Sequence, residues 1–262
     1  VIGDSYSSGD GALNNAGKGI CRRNEGSFGF RLNNILKPES FQFIPCSGAT
    51  VKDIQTRQVG SSDYGQPDLV VFTAGGDNGG SFISVLINCI VRPGEKKCDR
   101  ALEHADNVGE ALPASLAPLY QAIIGQPSTG RKREIIQLGY VQMYNRDNAV
   151  DQCPAHGGGK GSDVTWPSIG KGGYRDRINK TIVKINDKIR QAAMNNGVIF
   201  LDVDALFHGH RFCDGPDASW MQHRLSLSED GIICHPTFEG HGAYIKAVLE
   251  YLMHGKGRTD AV

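Results

Sequence analysis

Apolar residues along this chain fall into two kinds of run. Short, nearly unbroken runs rich in β-branched and aromatic residues cover Phe41–Pro45, Asp68–Thr73, Glu134–Val141 and Val198–Val203. Their composition predicts strands. Because these runs do not alternate with polar residues, the strands are predicted to be covered on both faces, as in a parallel sheet flanked by helices. Between them, apolar positions recur at helical spacing and predict helices over Phe28–Leu36, Phe82–Ile90, Ala101–Ile124, Tyr174–Asn195 and Phe238–Met253. In the fourth helix Ile178, Ile182, Ile185 and Ile189 share one face and read as core. Two glycine-rich stretches, Cys153–Gly173 and Phe207–Gly231, are long for plain connections and are expected to wall a cleft. No repeat, low-complexity tract or linker divides the 262 residues, so residues 1–262 read as one α/β domain. Val1 and Ile2 run straight into a glycine turn, so most of a first strand is expected upstream.

Composition narrows the partners. The 28 basic residues balance 28 acidic ones, which leaves no long-range attraction to nucleic acid or an anionic membrane. The longest apolar run, Phe82–Val91, is broken by Ser84 and Asn88 and falls short of the ~18 residues of a membrane-spanning helix. Seven cysteines form no C-x-x-C pair, which argues against a zinc site and for the disulfide framework of a secreted, extracellular protein. Spacing alone does not fix their connectivity. The pairing expected is Cys21 with Cys46, Cys89 with Cys98, and Cys153 with Cys213, leaving Cys234 unpaired. Asn179-Lys180-Thr181 is a glycosylation sequon, so a glycoprotein is expected. His208, His210, Cys213 and Asp214 mix soft and hard ligands without a recognised spacing. No metal and no organic cofactor is expected.

The stretch VIGDSYSSGDG, residues 1 to 11, carries the candidate chemistry. A hydrolytic serine must stand at a strand end on a tight turn, within reach of a histidine base, and Ser5 occupies such a position. Ser7 and Ser8 read as turn residues. The surrounding Gly3-Asp4-Ser5-Tyr6-Ser7 lacks the second glycine of the G-x-S-x-G elbow, which disfavours an ordinary α/β-hydrolase. Four blocks in order, GDSYSSG at 3–9, CSGAT at 46–50, TAGGDN at 73–78 and HPTFEGH at 235–241, resemble those of the GDSL/SGNH hydrolase superfamily. The cysteine-rich layout is most similar to its secreted fungal and actinobacterial esterase/lipase branch.

The resemblance implies a three-layer α/β/α sandwich of flavodoxin-like form, with a central parallel sheet of about five strands. It assigns Ser5 as nucleophile and His235 as general base. The oxyanion hole would comprise the backbone N–H of Ser5, the N–H of Gly48 and a side chain of the third block. There the chain departs from the family: aspartate follows the glycine pair and asparagine comes one later. An ionised Asp77 donates nothing, so Asn78 is the expected donor, with a protonated Asp77 or an impaired hole as the alternatives. The family's aspartate three residues before the histidine is replaced by Ile232, whose backbone carbonyl is expected to orient the imidazole, with Asp230 as the less favoured orienting group. Trp166, Tyr174 and Trp220 are candidate cleft residues, and His241 is expected to pack. The function implied is a secreted serine esterase or lipase, acting on a lipid, a short-chain ester or an acetylated glycan. It is expected to be monomeric, with no nucleic-acid partner. The rival reading is a non-catalytic carbohydrate-binding protein that retains the fold.

Overall fold

The structure, a computed structural model, describes residues 1–13, 17–91, 94–145, 173–212, 214, 218–222 and 233–254. Its helices are α1 (Ser5–Ser8), α2 (Phe28–Leu36), α3 (Val51–Asp53, continued by wider turns to Val59), α4 (Ser81–Val85, continued likewise to Val91), α5 (Glu95–Ile124), α6 (Gly173–Asn195) and α7 (Phe238–His254). Three strands, β1 (Leu69–Phe72), β2 (Glu134–Leu138) and β3 (Ile199–Leu201), form a parallel sheet in that order. Leu69 stands opposite Glu134, and Ile136 opposite Ile199. Parallel neighbours require a crossover. The chain between β1 and β2 supplies α4 and α5, and that between β2 and β3 supplies α6. Consecutive residues Val70, Val71 and Phe72, and likewise Ile135 and Ile136, are buried, as the unbroken apolar runs predicted.

α5 and α6 lie side by side. Asp99 meets Arg177, Asp106 meets Lys184, and Glu110 meets Lys188, each pair 78 residues apart in sequence. A constant offset means that the two helices run in the same direction, which two crossovers on one side of a parallel sheet demand. Exposed ion pairs of this kind contribute at most about 1 kcal/mol each. They set register, while burial of Leu112, Leu116, Leu119, Ile178 and Ile189 holds the helices to the core. A second group joins α2 to α7: Phe28 stacks on Tyr244 with ring centroids 5.7 Å apart, and Phe28 N donates to His241 Nδ1. Burial lowers the His241 pKa to about 3, so its ring is neutral and packs as expected.

The expected five strands are not present; the sheet has three among the described residues. Phe41–Pro45 is extended and runs beside residues 1–3, with Ile44 N donating to Val1 O and Cys46 N to Gly3 O. The ladder is interrupted by Gln58, whose side chain accepts from Gly3 N at 2.7 Å and donates to Gly3 O at 2.8 Å. An amide side chain thus fills the place of a strand neighbour. The three strands present are also shorter than predicted, and α5 begins six residues before Ala101.

Disulfides join Cys21 to Cys46 and Cys89 to Cys98, and Cys234 is free and buried. The expected Cys153–Cys213 bridge lies outside the described residues. The sequon reading is corrected. Asn179 sits inside α6, 1% exposed, with its amide accepting from Met143 N and Tyr144 N and donating to Tyr144 O. The folded chain offers no amide there to glycosylate. Among the described residues, no helix is long and apolar enough to cross a membrane. Gln58→Ala would leave the buried Gly3 N–H without a partner, while Gly3 O keeps its bond from Cys46 N. The expected loss is about 1–3 kcal/mol of stability, read from urea unfolding.

Candidate active site

The first turn of the chain is shaped by Gly3. Its φ is +125°, and a Cβ there would stand 2.4 Å from Ser7 Oγ and 2.6 Å from Thr73 O, so no larger residue fits. The chain then enters α1, capped by Asp4, whose carboxylate accepts from Tyr6 N. The same carboxylate accepts from Thr73 Oγ1 at 2.6 Å and from the Tyr140 hydroxyl. Tyr140 Oη in turn accepts from Gly76 N at 2.8 Å. Burial pushes the Asp4 pKa up, opposed by the hydrogen bonds from Thr73, Tyr140 and Tyr6 N. One buried carboxylate therefore joins the serine turn, the end of β1 and the segment after β2.

The histidine arrives from the opposite end of the chain. Residues 221–222 pair with 234–236: Gln222 N donates to His235 O at 2.7 Å, and Cys234 N to Gln222 O at 2.8 Å. Cys234 takes a left-handed φ of +70°, and its carbonyl accepts from Tyr6 Oη at 2.8 Å. A residue beside the serine thus grips a residue beside the histidine. The outcome is a distance of 2.7 Å between His235 Nε2 and Ser5 Oγ, across 230 residues of sequence. Both are buried, at 6% exposure for Ser5 and 1% for His235. The imidazole packs on Tyr6 and Phe82, and its Nδ1 lies 3.3 Å from Ile233 O. Ile232 and Asp230, the orienting groups expected from the sequence, lie outside the described residues. The carbonyl seen at Nδ1 is that of the next residue.

Gly48 has a φ of +79°, and nothing stands within 4 Å of where its Cβ would be. It lies on a turn held by Ser47 N to Cys21 O and Ala49 N to Cys46 O, both next to the Cys21–Cys46 disulfide. Neither Ser5 N nor Gly48 N is bonded among the described residues, which leaves two donors for a ligand oxygen. Asn78 Oδ1 accepts from Val51 N at 2.9 Å, so its amide oxygen faces α3. Asp77 is half-buried, and its pKa is raised to about 7 by burial, then by the charges of Asp4 and Asp10.

Ser7 and Ser8 serve the backbone: Ser7 Oγ accepts from Thr73 N, and Ser8 Oγ donates to Ser5 O. Trp220 stacks on His210 at 3.6 Å, Asp214 accepts from Arg211 N, and Tyr174 lies near Asp99 of α5. Trp166 and Cys213 lie outside the described residues. Sequence reasoning passed over Tyr140, Gln58 and Asp10. Asp10 is fully buried, takes Ser47 Oγ and Arg22 on one oxygen, and interacts with the charge of His235. Its signal was a second acidic residue in an otherwise small, neutral block. Tyr6 and Phe82, which pack on the His235 ring, also line an apolar cavity of about 60 Å³ together with Val85, Met143, Ile178 and Ile182, among others.

The profile of the GDSL-like Lipase/Acylhydrolase family matches residues 1–243. The chain belongs to that family. Over 251 residues it is 30% identical to a lipase of Streptomyces rimosus, covering 95% of this chain and 84% of the relative. The crystal structure of phospholipase A1 from Streptomyces albidoflavus NA297 superposes with a TM-score of 0.77 at 28% identity, over 95% and 96% of the two chains. An extracellular lipase of Streptomyces rimosus superposes with a TM-score of 0.69, also at 28% identity, over 95% and 97%. As a GDSL-type protein the chain is a carboxylic ester hydrolase, and the Ser5–His235 pair lies in the first and last of the blocks that carried the resemblance.

Tyr140→Phe removes a donor from Asp4 and the acceptor of Gly76 N without changing the ring. Leaving these buried groups short of partners is expected to cost about 1–3 kcal/mol of stability. It should also lower kcat by about tenfold with KM little changed, since the groups displaced position the serine turn. Urea unfolding and steady-state kinetics check both.

Proposed function

We propose that the chain hydrolyses carboxylic esters through an acyl-Ser5 intermediate, with His235 as the acid and base. The observation that supports this most directly is the 2.7 Å contact between Ser5 Oγ and His235 Nε2 in a buried setting. At that distance the imidazole takes the hydroxyl proton as Oγ attacks, then returns it to the leaving alcohol. A second round with water frees the acid. For this, Nε2 must accept, so Nδ1 carries the hydrogen and donates to the Ile233 carbonyl. A carbonyl stabilises imidazolium less than a carboxylate does, and the buried charges of Asp4 and Asp10 add to it from further away. Ser5 N and Gly48 N are the backbone donors assigned to the oxyanion.

The substrate reading is an ester with an apolar acyl group, a lipid or a short-chain ester rather than an acetylated glycan. The cavity that shares Tyr6 and Phe82 with the His235 ring is lined mainly by aliphatic and aromatic side chains, which favours hydrocarbon over hydroxyl-rich sugar. Its size suits a chain of a few carbons. Residues 1–262 are read as one domain acting as a monomer without cofactor. Secretion is supported by two disulfides and by the likeness to an extracellular lipase.

A fluorophosphonate probe should label the wild type and fail on Ser5→Ala, and His235→Ala should lower p-nitrophenyl acetate turnover by about 10³-fold or more. Wild type that neither labels nor turns over would support the binding-protein reading instead. Ile182→Trp, which fills the cavity, should lower kcat/KM for an octanoate ester about tenfold relative to acetate. An unchanged ratio means that the acyl chain lies elsewhere.

A further inference from the structure

Asp77 lies on the loop between β1 and α4, within reach of the charges of Asp4 and Asp10. Its loop leaves β1 at Thr73, which accepts from Asp4 N and donates to Asp4 Oδ1. One residue before Asp77, Gly76 N is tied through Tyr140 to the other Asp4 oxygen. Five residues after it, Phe82 packs on the His235 ring at 5.5 Å. The loop is therefore bonded next to the nucleophile at one end and packed on the base at the other. Among the described residues no donor or cation meets the Asp77 carboxyl. Its neighbour Asn78 has its amide oxygen committed to Val51 N.

We propose that Asp77 works as a neutral carboxylic acid whose O–H gives the third hydrogen bond to the oxyanion formed at Ser5, and that its ionisation turns the site down. This rests on the ester-hydrolase reading above. The distribution of donors decides where the proton goes. Asp4 receives hydrogen bonds from Tyr6 N, Thr73 and Tyr140, and Asp10 receives Ser47 and faces Arg22. These two are the better supported as anions. Asp77 receives none and faces both, so it holds the proton. The tyrosines nearby, Tyr6 and Tyr140, have pKa values raised well above the usual phenol value, chiefly by burial, and stay neutral. Lys52 and Asp53 on α3, which Asn78 abuts, and His104 of α5, which meets Gly79 O, make no ion pair with Asp77 among the described residues.

In the step itself, Ser5 Oγ forms a bond to the ester carbon while its proton passes to His235 Nε2. The carbonyl π pair moves onto oxygen, which accepts hydrogen bonds from Ser5 N, Gly48 N and the Asp77 hydroxyl. Collapse restores the carbonyl, expels the alkoxide, and gives it the proton from Nε2. Asp77 keeps its proton throughout. A protonated aspartate can fill such a position in an enzyme when its surroundings keep it neutral.

The test is the pH dependence of kcat/KM for p-nitrophenyl butyrate, followed at an isosbestic wavelength, in wild type, Asp77→Asn and Asp77→Ala. With the Asp77 pKa near the value of about 7 that its surroundings set, wild type should lose rate as pH rises above it. Asp77→Asn donates at every pH, so its rate relative to wild type should rise about tenfold between pH 7 and 8.5. At pH 6 Asp77→Ala should be about 10²-fold slower than wild type. Parallel wild-type and Asp77→Asn profiles, or an alanine variant as fast as wild type at pH 6, overturn the inference. Thermal melts of the variants show whether each is folded. Ser5→Ala separates the two claims: if it is inactive while those profiles run parallel, only the role of Asp77 falls, and if it remains active, the acyl-serine reading falls as well.

Discussion

The burial of Asp4 is the constraint from which the site is built. A carboxylate removed from water is tolerable only when donors replace the lost hydration. Here the donors come from Tyr6 N, Thr73 and Tyr140. Each belongs to a different piece of chain, so satisfying one side chain assembles the serine turn, the β1 edge and the segment leaving β2 at once. Tyr6 then reaches the carbonyl of Cys234. Its neighbour Ser5 and the following His235 are brought together by bonds made by the residues beside them, which leaves both reactive atoms available for chemistry.

The same arrangement explains why the site is electrostatically unusual. Asp4 and Asp10 act by charge on a histidine that the sequence leaves without the expected aspartate three residues earlier. Their negative charge reaches the ring from buried positions on the serine turn. A developing imidazolium gains from this and a developing oxyanion does not. In the role proposed for Asp77, a third carboxyl held neutral reconciles these opposite needs.

Helices were legible in the sequence because their apolar stripes are long: Phe28–Leu36 matches to the residue, and α6 and α7 match within one at each end. The parallel sheet was legible from strands apolar on both faces. What failed depended on contacts between distant residues. No local pattern shows that Gln58 will occupy the place of a strand neighbour at Gly3, nor that Asn179 will turn its amide onto Met143 and Tyr144. The serine and histidine were visible through the resemblance of their short blocks to the GDSL/SGNH superfamily, since glycine, aspartate and serine by themselves read as a plain turn. Tyr140 was invisible: it follows a strand in an apolar run, and only its hydroxyl distinguishes it from its neighbours. The disulfides Cys21–Cys46 and Cys89–Cys98 came out as expected, though the spacing of the cysteines did not determine them.

The buried Asn-Lys-Thr triplet has a consequence for how the protein is made. In a yeast or other eukaryotic secretory host, the transferase scans nascent polypeptide before helices have docked. A glycan attached to Asn179 at that moment would be far too large for the space between α6 and the Met143–Tyr144 backbone. A host that leaves Asn179 bare keeps that amide for the Met143–Tyr144 backbone.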